Sequence, residues 1–435
     1  MVSLPYSRKK RYLTGIDWMI GALDHLARKS TGAGISSQVV LELDRPLPEE
    51  ELREWLEDRA RALPALAGAP ARDINLAPYW KVPERVDEAP IDFVVHRPPS
   101  ESPGDVLACL TAAVNKPFES DSRHLAFHVI YLEPSDRCLV TMVFDHRLLD
   151  ARGAEMLLDA IQRNDMPPLD PEPAHLDRWL HRFRVGRNIN RTLAPMGRSP
   201  IDTIPLPADL AGRPSRFVLS SLDEDETRAI KEAAEREAGY LIVMPYVLAV
   251  TLQQLDVFLA GKGYPHGSYV VPVSMDMRSE RKRQVLFNRL SFILLHVKSS
   301  IVGNRPASIQ IIRQQMYDQA KVHLQRDLCD VTMLMRIAPV SMLARLMLKI
   351  RLMLGSLSFS CVGDSAYASD TFLGARILNL FHLPRVPTPP GYGFFFNEFN
   401  SGMNVVFSYI DGMLTEDEAN ELVGHVVTAL LQGDG

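Results

Sequence analysis

Phe144-Asp145-His146-Arg147-Leu148-Leu149-Asp150-Ala151-Arg152-Gly153 sets a histidine four residues ahead of an aspartate. A neutral imidazole can take a proton from a hydroxyl or amine as it attacks a carbonyl, help worth about 10²–10⁴-fold in rate. HxxxD is a weak signal alone, and the chain contains a second copy, His323 and Asp327 in AKVHLQRDL. There the surrounding periodicity predicts one continuous helix with an intrahelical contact between the two. His146 differs in its setting. It follows a strand-like run and precedes a turn with Gly153, and loops at strand ends carry chemistry on rigid supports. The bland alternative is a surface histidine beside an ordinary helix cap.

The elements that must position His146 can be read from the pattern around it. Residues 125–133 and 137–145 flank Pro134-Ser135-Asp136 and predict an antiparallel hairpin. ARGAEMLLDAIQRN then reads as a short amphipathic helix. Upstream, 39–43 is a strand, and 47–63 a helix with Leu52, Trp55, Leu56, Ala60 and Leu63 at helical spacing. Two segments, 166–176 and 194–215, hold nine prolines and mark 166–215 as a crossover between lobes 1–165 and 216–435. Inside it, RWLHRFRVGRNINR carries five arginines and no acid, and reads as a solvated connector or an anion site. Beyond it, a strand at 216–219 leads into a helix opened by Ser220 or Ser221 and the acidic run 223–226. Further strands (SYVVPVSMDMR, NRLSFILLHVK, SLSFSCVG, MNVVFSYIDG) alternate with helices, the last at 415–431. Each half therefore reads as mixed α/β.

Composition narrows the function classes. The chain has 435 residues, 46% hydrophobic and 23% charged, with a net charge of −5. That is a globular composition with no global reason to bind nucleic acid. No apolar run reaches the ~18 residues that span a bilayer, and the basic N-terminus lacks the apolar core of a signal peptide. Cys109, Cys138, Cys329 and Cys361 lie far apart, which predicts reduced thiols, a cytoplasmic setting and no structural zinc. No glycine loop suggests a nucleotide cofactor.

Taken together, the segments resemble the two-lobed acyltransferases of the chloramphenicol acetyltransferase type, including condensation domains, polyketide-associated acyltransferases and wax ester synthases. The resemblance runs from Leu13-Thr14-Gly15-Ile16-Asp17 to the last helix. FDHRLLDARG occupies the HHxxxDG position. VPVSMDMR and the Asn288 segment are similar to the second lobe's Arg strand and Asn segment. SFSCVGDSAY is similar to the Ser-Asn-x-x-Gly loop, and VFSYIDGMLTEDEANEL to the closing strand, turn and helix. The resemblance implies two such lobes in a V-shaped pseudo-dimer with a tunnel between them. It implies His146 as general base, Asp150 as a structural carboxylate paired with Arg278, and Ser360 as a possible oxyanion contact or loop brace. Asp145, Gly153 and the structural Asn288 complete the set expected around the substrate. Departures are Asp145 for the first histidine, Ala151 for the glycine after the aspartate, where Gly153 can supply a positive φ, and no DFGWG near 391–402.

The same resemblance implies a thioester donor, acyl-CoA or an acyl carrier protein acting in trans, a small alcohol or amine acceptor, no metal or other cofactor, and a monomer. Arg281-Lys282-Arg283 could meet a pantetheine phosphate or be a solvated turn. Residues 331–355 hold five methionines, four basic residues and no acid. They read as core helices with snorkelling cations, as a wall for a greasy chain, or as a peripheral membrane contact. The rival to an enzyme is a catalytically silent scaffold binding a carrier protein or lipid, and a third reading is a cyclisation or elimination assisted by the same histidine.

Overall fold

The computed structural model describes residues 10–169, 179–198, 200–240, 243–264, 267–278, 284–349 and 355–433. Two six-stranded sheets organise the chain. The first runs β12 (Thr371–Phe372), β13 (Ala375–Pro384), β2 (Ser36–Leu43), β7 (Arg137–Asp145), β6 (Leu125–Leu132) and β5 (Ile91–His96). The second runs β10 (Leu290–Lys298), β9 (Ser268–Asp276), β11 (Ser358–Asp364), β14 (Tyr392–Phe399), β15 (Gly402–Ile410) and β8 (Ser215–Leu222). A small third sheet joins β1 (Lys10–Tyr12), β4 (Pro78–Lys81) and β3 (Ala69–Arg72).

The helices are α1 (Gly15–Thr31), α2 (Glu49–Arg61), α3 (Pro103–Asn115), α4 (Ala151–Arg163) and α5 (Trp179–Leu193) in the first half. In the second half come α6 (Glu224–Ala238), α7 (Val243–Gly261), α8 (Ser299–Val302), α9 (Arg305–Lys321), α10 (Leu324–Thr332), α11 (Val340–Lys349) and α12 (Glu416–Gln432). Capping boxes open three of them: Thr14 with Asp17, Asp223 with Glu226, and Thr415 with Glu418. Each satisfies two backbone donors at a helix start. The cap of α6 is thus Asp223, not Ser220 or Ser221, which end β8.

β7 shows why the site is rigid. Its sequence RCLVTMVFD is apolar on both faces because both are covered. Val140, Met142 and Phe144 enter the first lobe's core, while Leu139 and Val143 pack with Phe217 of β8 and Val406 of β15. A strand clamped between two cores has little freedom at its end, where His146 sits.

Several expectations are corrected. Residues 216–435 do not form a self-contained second lobe: β13 leaves it and pairs with β2, from Ile377 opposite Leu43 to Pro384 opposite Ser37. A hydrophobic pattern specifies a strand's faces but not its partner. The predicted helix through His323 is broken, because that residue takes φ 55 between α9 and α10. Most of the arginine-rich connector is α5, which lays Val185 and Ile189 against Leu324 of α10. α7 is long and apolar enough to cross a bilayer, with mean hydropathy 1.5 over 18 residues, although Gln253, Gln254 and Asp256 interrupt its run. It lines the second lobe's core through Tyr246, Leu248, Leu252 and Leu255. Residues 170–178 of the crossover and Arg281-Lys282-Arg283 lie outside the described residues.

Leu380 of β13 is fully buried in the first lobe's core. Leu380→Ala should lower unfolding free energy by roughly 2–5 kcal/mol and shift the denaturant midpoint of the first lobe. A loss confined to the second lobe would contradict the strand exchange.

Candidate active site

β7 ends at Asp145 and the chain turns tightly through His146 to Leu148 before α4 begins. Asp150 is the cap of α4, its Oδ1 accepting from Gly153 N at 2.8 Å. Helix formation here follows from Ala154, Leu157, Leu158 and Ile161, a stripe buried in the first core. The same carboxylate reaches the other half of the chain. Its Oδ1 accepts from Arg278 Nη2 at 2.7 Å and its Oδ2 from Arg289 N at 2.9 Å. Arg278 also donates to Asp276 Oδ1 at 3.0 Å and to the Gln284 carbonyl at 2.8 Å. Burial works against the guanidinium's charge, yet Asp150 and Asp276 outweigh it and raise its pKa. The expected Asp150–Arg278 pair is therefore present, and Asp150 is a helix cap at the same time.

His146 is half-buried, and its backbone N–H donates to Ile35 O at 3.2 Å. Its ring Nδ1 lies 3.0 Å from Asn288 Oδ1. The amide's orientation is set by its other contacts, because Asn288 Nδ2 donates to His146 O at 3.0 Å and faces Asp17 Oδ1 at 3.4 Å. Oδ1 must then accept, so Nδ1 is the donor, and in the neutral ring Nε2 is the nitrogen with the free lone pair. Asn288 is itself held by Asp17, whose Oδ1 takes its backbone N–H at 3.0 Å. Asp17 Oδ2 accepts from Arg11 Nη1 at 2.7 Å and from the Thr14 N–H at 2.8 Å. Burial opposes the Asp17 charge, but the Arg11 guanidinium holds its carboxyl below the usual range. Phe287, just before Asn288, has φ 68, a strained value for an aromatic residue. Its ring is pinned under the Arg11 guanidinium at 3.8 Å and against Trp80 at 5.6 Å.

Sequence reasoning missed Arg11 and Asp17 as parts of this chain of contacts. The Thr14-x-x-Asp17 capping signature was the available clue to Asp17; nothing local singles out Arg11 from its basic cluster.

Three residues expected around the substrate have structural partners. Asn288 is buried, with both side-chain polar atoms spent on His146 and Asp17. Asp145 is buried at the end of β7, where Arg147 holds it at 2.8 and 2.6 Å and His124 Nδ1 lies at 3.1 Å. Burial penalises the Asp145 charge, but Arg147 and His124 drive its pKa far below the ordinary 3.8. Gly153 is required for space, not for a positive φ: a Cβ there would sit 2.4 Å from the Val285 carbonyl. Ala151 is simply the first residue of α4. Ser360 lies on β11 with its hydroxyl 3.4 Å from that of Ser274 on β9. β11 is tied to α4 through Arg152, which donates to Val362 O at 2.6 Å.

A cavity of about 520 Å³ adjoins this assembly, lined by Leu13, Asp17, Trp18, Arg28, Trp80 and Arg147 among others. Its wall belongs mainly to the first lobe; Pro339 and Val340 are the second half's contribution. His146 is not on that wall, but Asp17 and Arg147, on either side of it, are.

The Asp145 ion pairs stabilise the fold while the carboxylate is ionised. Its folded pKa lies below its ordinary value, so this stability is complete above 3.8 and fades as pH falls below it. Asp145→Asn should therefore cost about 3–5 kcal/mol at neutral pH, with the gap from wild type narrowing in acid. Thermal melts across pH check this; a pH-independent gap would contradict it.

No family model and no curated protein sequence matches the chain. Solved structures do. Trichothecene 15-O-acetyltransferase from Fusarium sporotrichioides superposes with TM-score 0.68 at 12% identity, over 97% of this chain and 95% of its own. The first condensation domain of the calcium-dependent antibiotic synthetase gives TM-score 0.68 at 12% identity, over 98% and 97%. The cyclization-docking bidomain of a peptide synthetase from Sorangium cellulosum gives 0.67 at 14%, over 100% and 88%. Likeness at such identities over whole chains establishes architecture: the chain has the two-lobed fold of the chloramphenicol acetyltransferase-like and condensation-domain acyltransferases.

Proposed function

We propose that the chain is an acyltransferase of natural-product or lipid biosynthesis, moving an acyl group from a thioester to a hydroxyl or amine. The observation that carries this reading is the His146–Asn288 contact, which makes Nε2 the acceptor nitrogen of the neutral ring, just beyond the end of a clamped strand. In the proposed step, Nε2 takes the acceptor's proton as its oxygen or nitrogen attacks the thioester carbonyl. The tetrahedral intermediate collapses, the C–S bond breaks, and the imidazolium returns the proton to the leaving thiolate. Ser360 is the proposed donor to the intermediate's oxyanion. The donor is acyl-CoA or an acyl carrier protein, and the side chains named supply the whole step.

The acetyltransferase and condensation domains that share the fold support this reading. A second reading, a cyclisation on a carrier-bound chain with the same base, draws on the cyclization bidomain's equal likeness. A silent scaffold would have no use for the fixed tautomer at His146.

Mass spectrometry after incubation with acyl-CoAs or acyl carrier proteins and a panel of alcohols and amines should show thioester-dependent product. His146→Ala should cut it by about 10²–10⁴-fold; undiminished turnover would remove His146 from its role.

A further inference from the structure

We infer that the outward faces of α5 and α11 form a surface that seats on an anionic lipid bilayer. α5 turns Val185 and Ile189 toward α10. Its opposite side presents Trp179, Leu180 and Phe183, between 55% and 58% exposed, interleaved with exposed Arg184, Arg187 and Arg191. α11 repeats the arrangement. Leu343, Ala344 and Met347 face inward, and Met342, Leu346 and Leu348 face solvent with Arg345 and Lys349. Large apolar side chains facing water beside cations, on two helices, is the pattern of an interfacial helix and not of a solvated one.

The charge distribution selects the occupant. Residues 179–198 and 331–349 contain no acid in a chain of net charge −5. The exposed starts of α2, α6 and α12 are acidic, at 49–51, 224–226 and 416–418. A basic, apolar face on an otherwise acidic protein matches a negative surface with a hydrocarbon interior beneath it, where each surface cation strengthens binding about fivefold. α10 and one short 3₁₀ turn, Met333–Ile337, connect the two helices' packing, and Ile337 on that turn is 52% exposed. Pro339 and Val340, at the head of α11, also line the 520 Å³ cavity, so the surface borders the space next to the proposed base. Bilayer binding itself does not depend on the acyltransferase reading and is measured without turnover.

The full chain should co-sediment with vesicles of phosphatidylcholine mixed with phosphatidylglycerol, more weakly with phosphatidylcholine alone, and less as salt rises. The pairs Leu180→Glu with Phe183→Glu and Met342→Glu with Leu346→Glu should each weaken this at least about tenfold, since each removes insertion and adds repulsion. Their side chains point outward, so melting temperatures should stay near wild type. Ile74→Glu, at a fully exposed apolar residue of the β3–β4 turn, is the control and should bind as wild type. No vesicle binding, or wild-type binding by either pair, overturns the inference. So does a dimer that either pair dissociates, or capture of an acidic carrier protein, where vesicles are not bound.

Discussion

The carboxylate of Asp150 is the contact on which the rest of the site depends. It caps α4, takes the first amide leading into β10, and pairs with Arg278 at the end of β9. Three elements from two lobes thus converge on two oxygen atoms. A buried ion pair is weak evidence for stability, because desolvation offsets much of its attraction. Its value here is register. With Arg289 pinned, Phe287 is drawn into a left-handed turn bonded to Leu148 O at 2.6 Å, and Asn288 is delivered to the imidazole. Gly153 belongs to the same constraint, since a side chain there would drive the 285 backbone away from α4.

A second charged assembly lies at the end of β7. Asp145 stands where the related motif has a histidine, and its charge is absorbed by Arg147, by His124 and, at 4.0 Å, by Arg28. His124 Nε2 in turn faces the Gly68 carbonyl at 2.8 Å, and its ring packs on Trp80 at 4.8 Å. Trp80 lies between this cluster and the one behind His146, packing on His124 and on Phe287. Asp145 thus braces the end of β7 while the partners of His146 are Asn288 and Ile35.

Much of the scaffold was legible because its signals are local. The 125–145 hairpin, the α4 stripe and the acidic start of α6 follow from alternation, periodicity and caps. Asp150 and Arg278, 128 positions apart, could be paired only through the family resemblance, and the structure brings them together. What stayed hidden is non-local. Nothing around Ala375–Pro384 says that this strand joins the sheet begun by Ser36–Leu43. Nothing around Arg11 says that it neutralises a carboxylate behind the base. The helix break at His323 was missed because periodicity persists across it while the backbone does not. The outward Trp179 and Phe183 looked like a connector because arginine count hid the period that packs Val185 and Ile189.

The partner of the imidazole is an amide, and that choice shapes the chemistry available to it. A carboxylate at Nδ1 would fix the tautomer and also stabilise the imidazolium, making a stronger base that is more often protonated at neutral pH. Asn288 fixes the tautomer through a neutral contact. The negative charge sits one hydrogen bond further back, on Asp17, where it orients the amide and is balanced by Arg11. In the acyl transfer proposed above, such an imidazole would serve an acceptor whose proton leaves as the new bond forms. Rate then comes chiefly from holding Nε2, acceptor and carbonyl in line. On that proposal, the buried charge around Asp17 and Asp150 serves to immobilise the turns at 146–150 and 285–289.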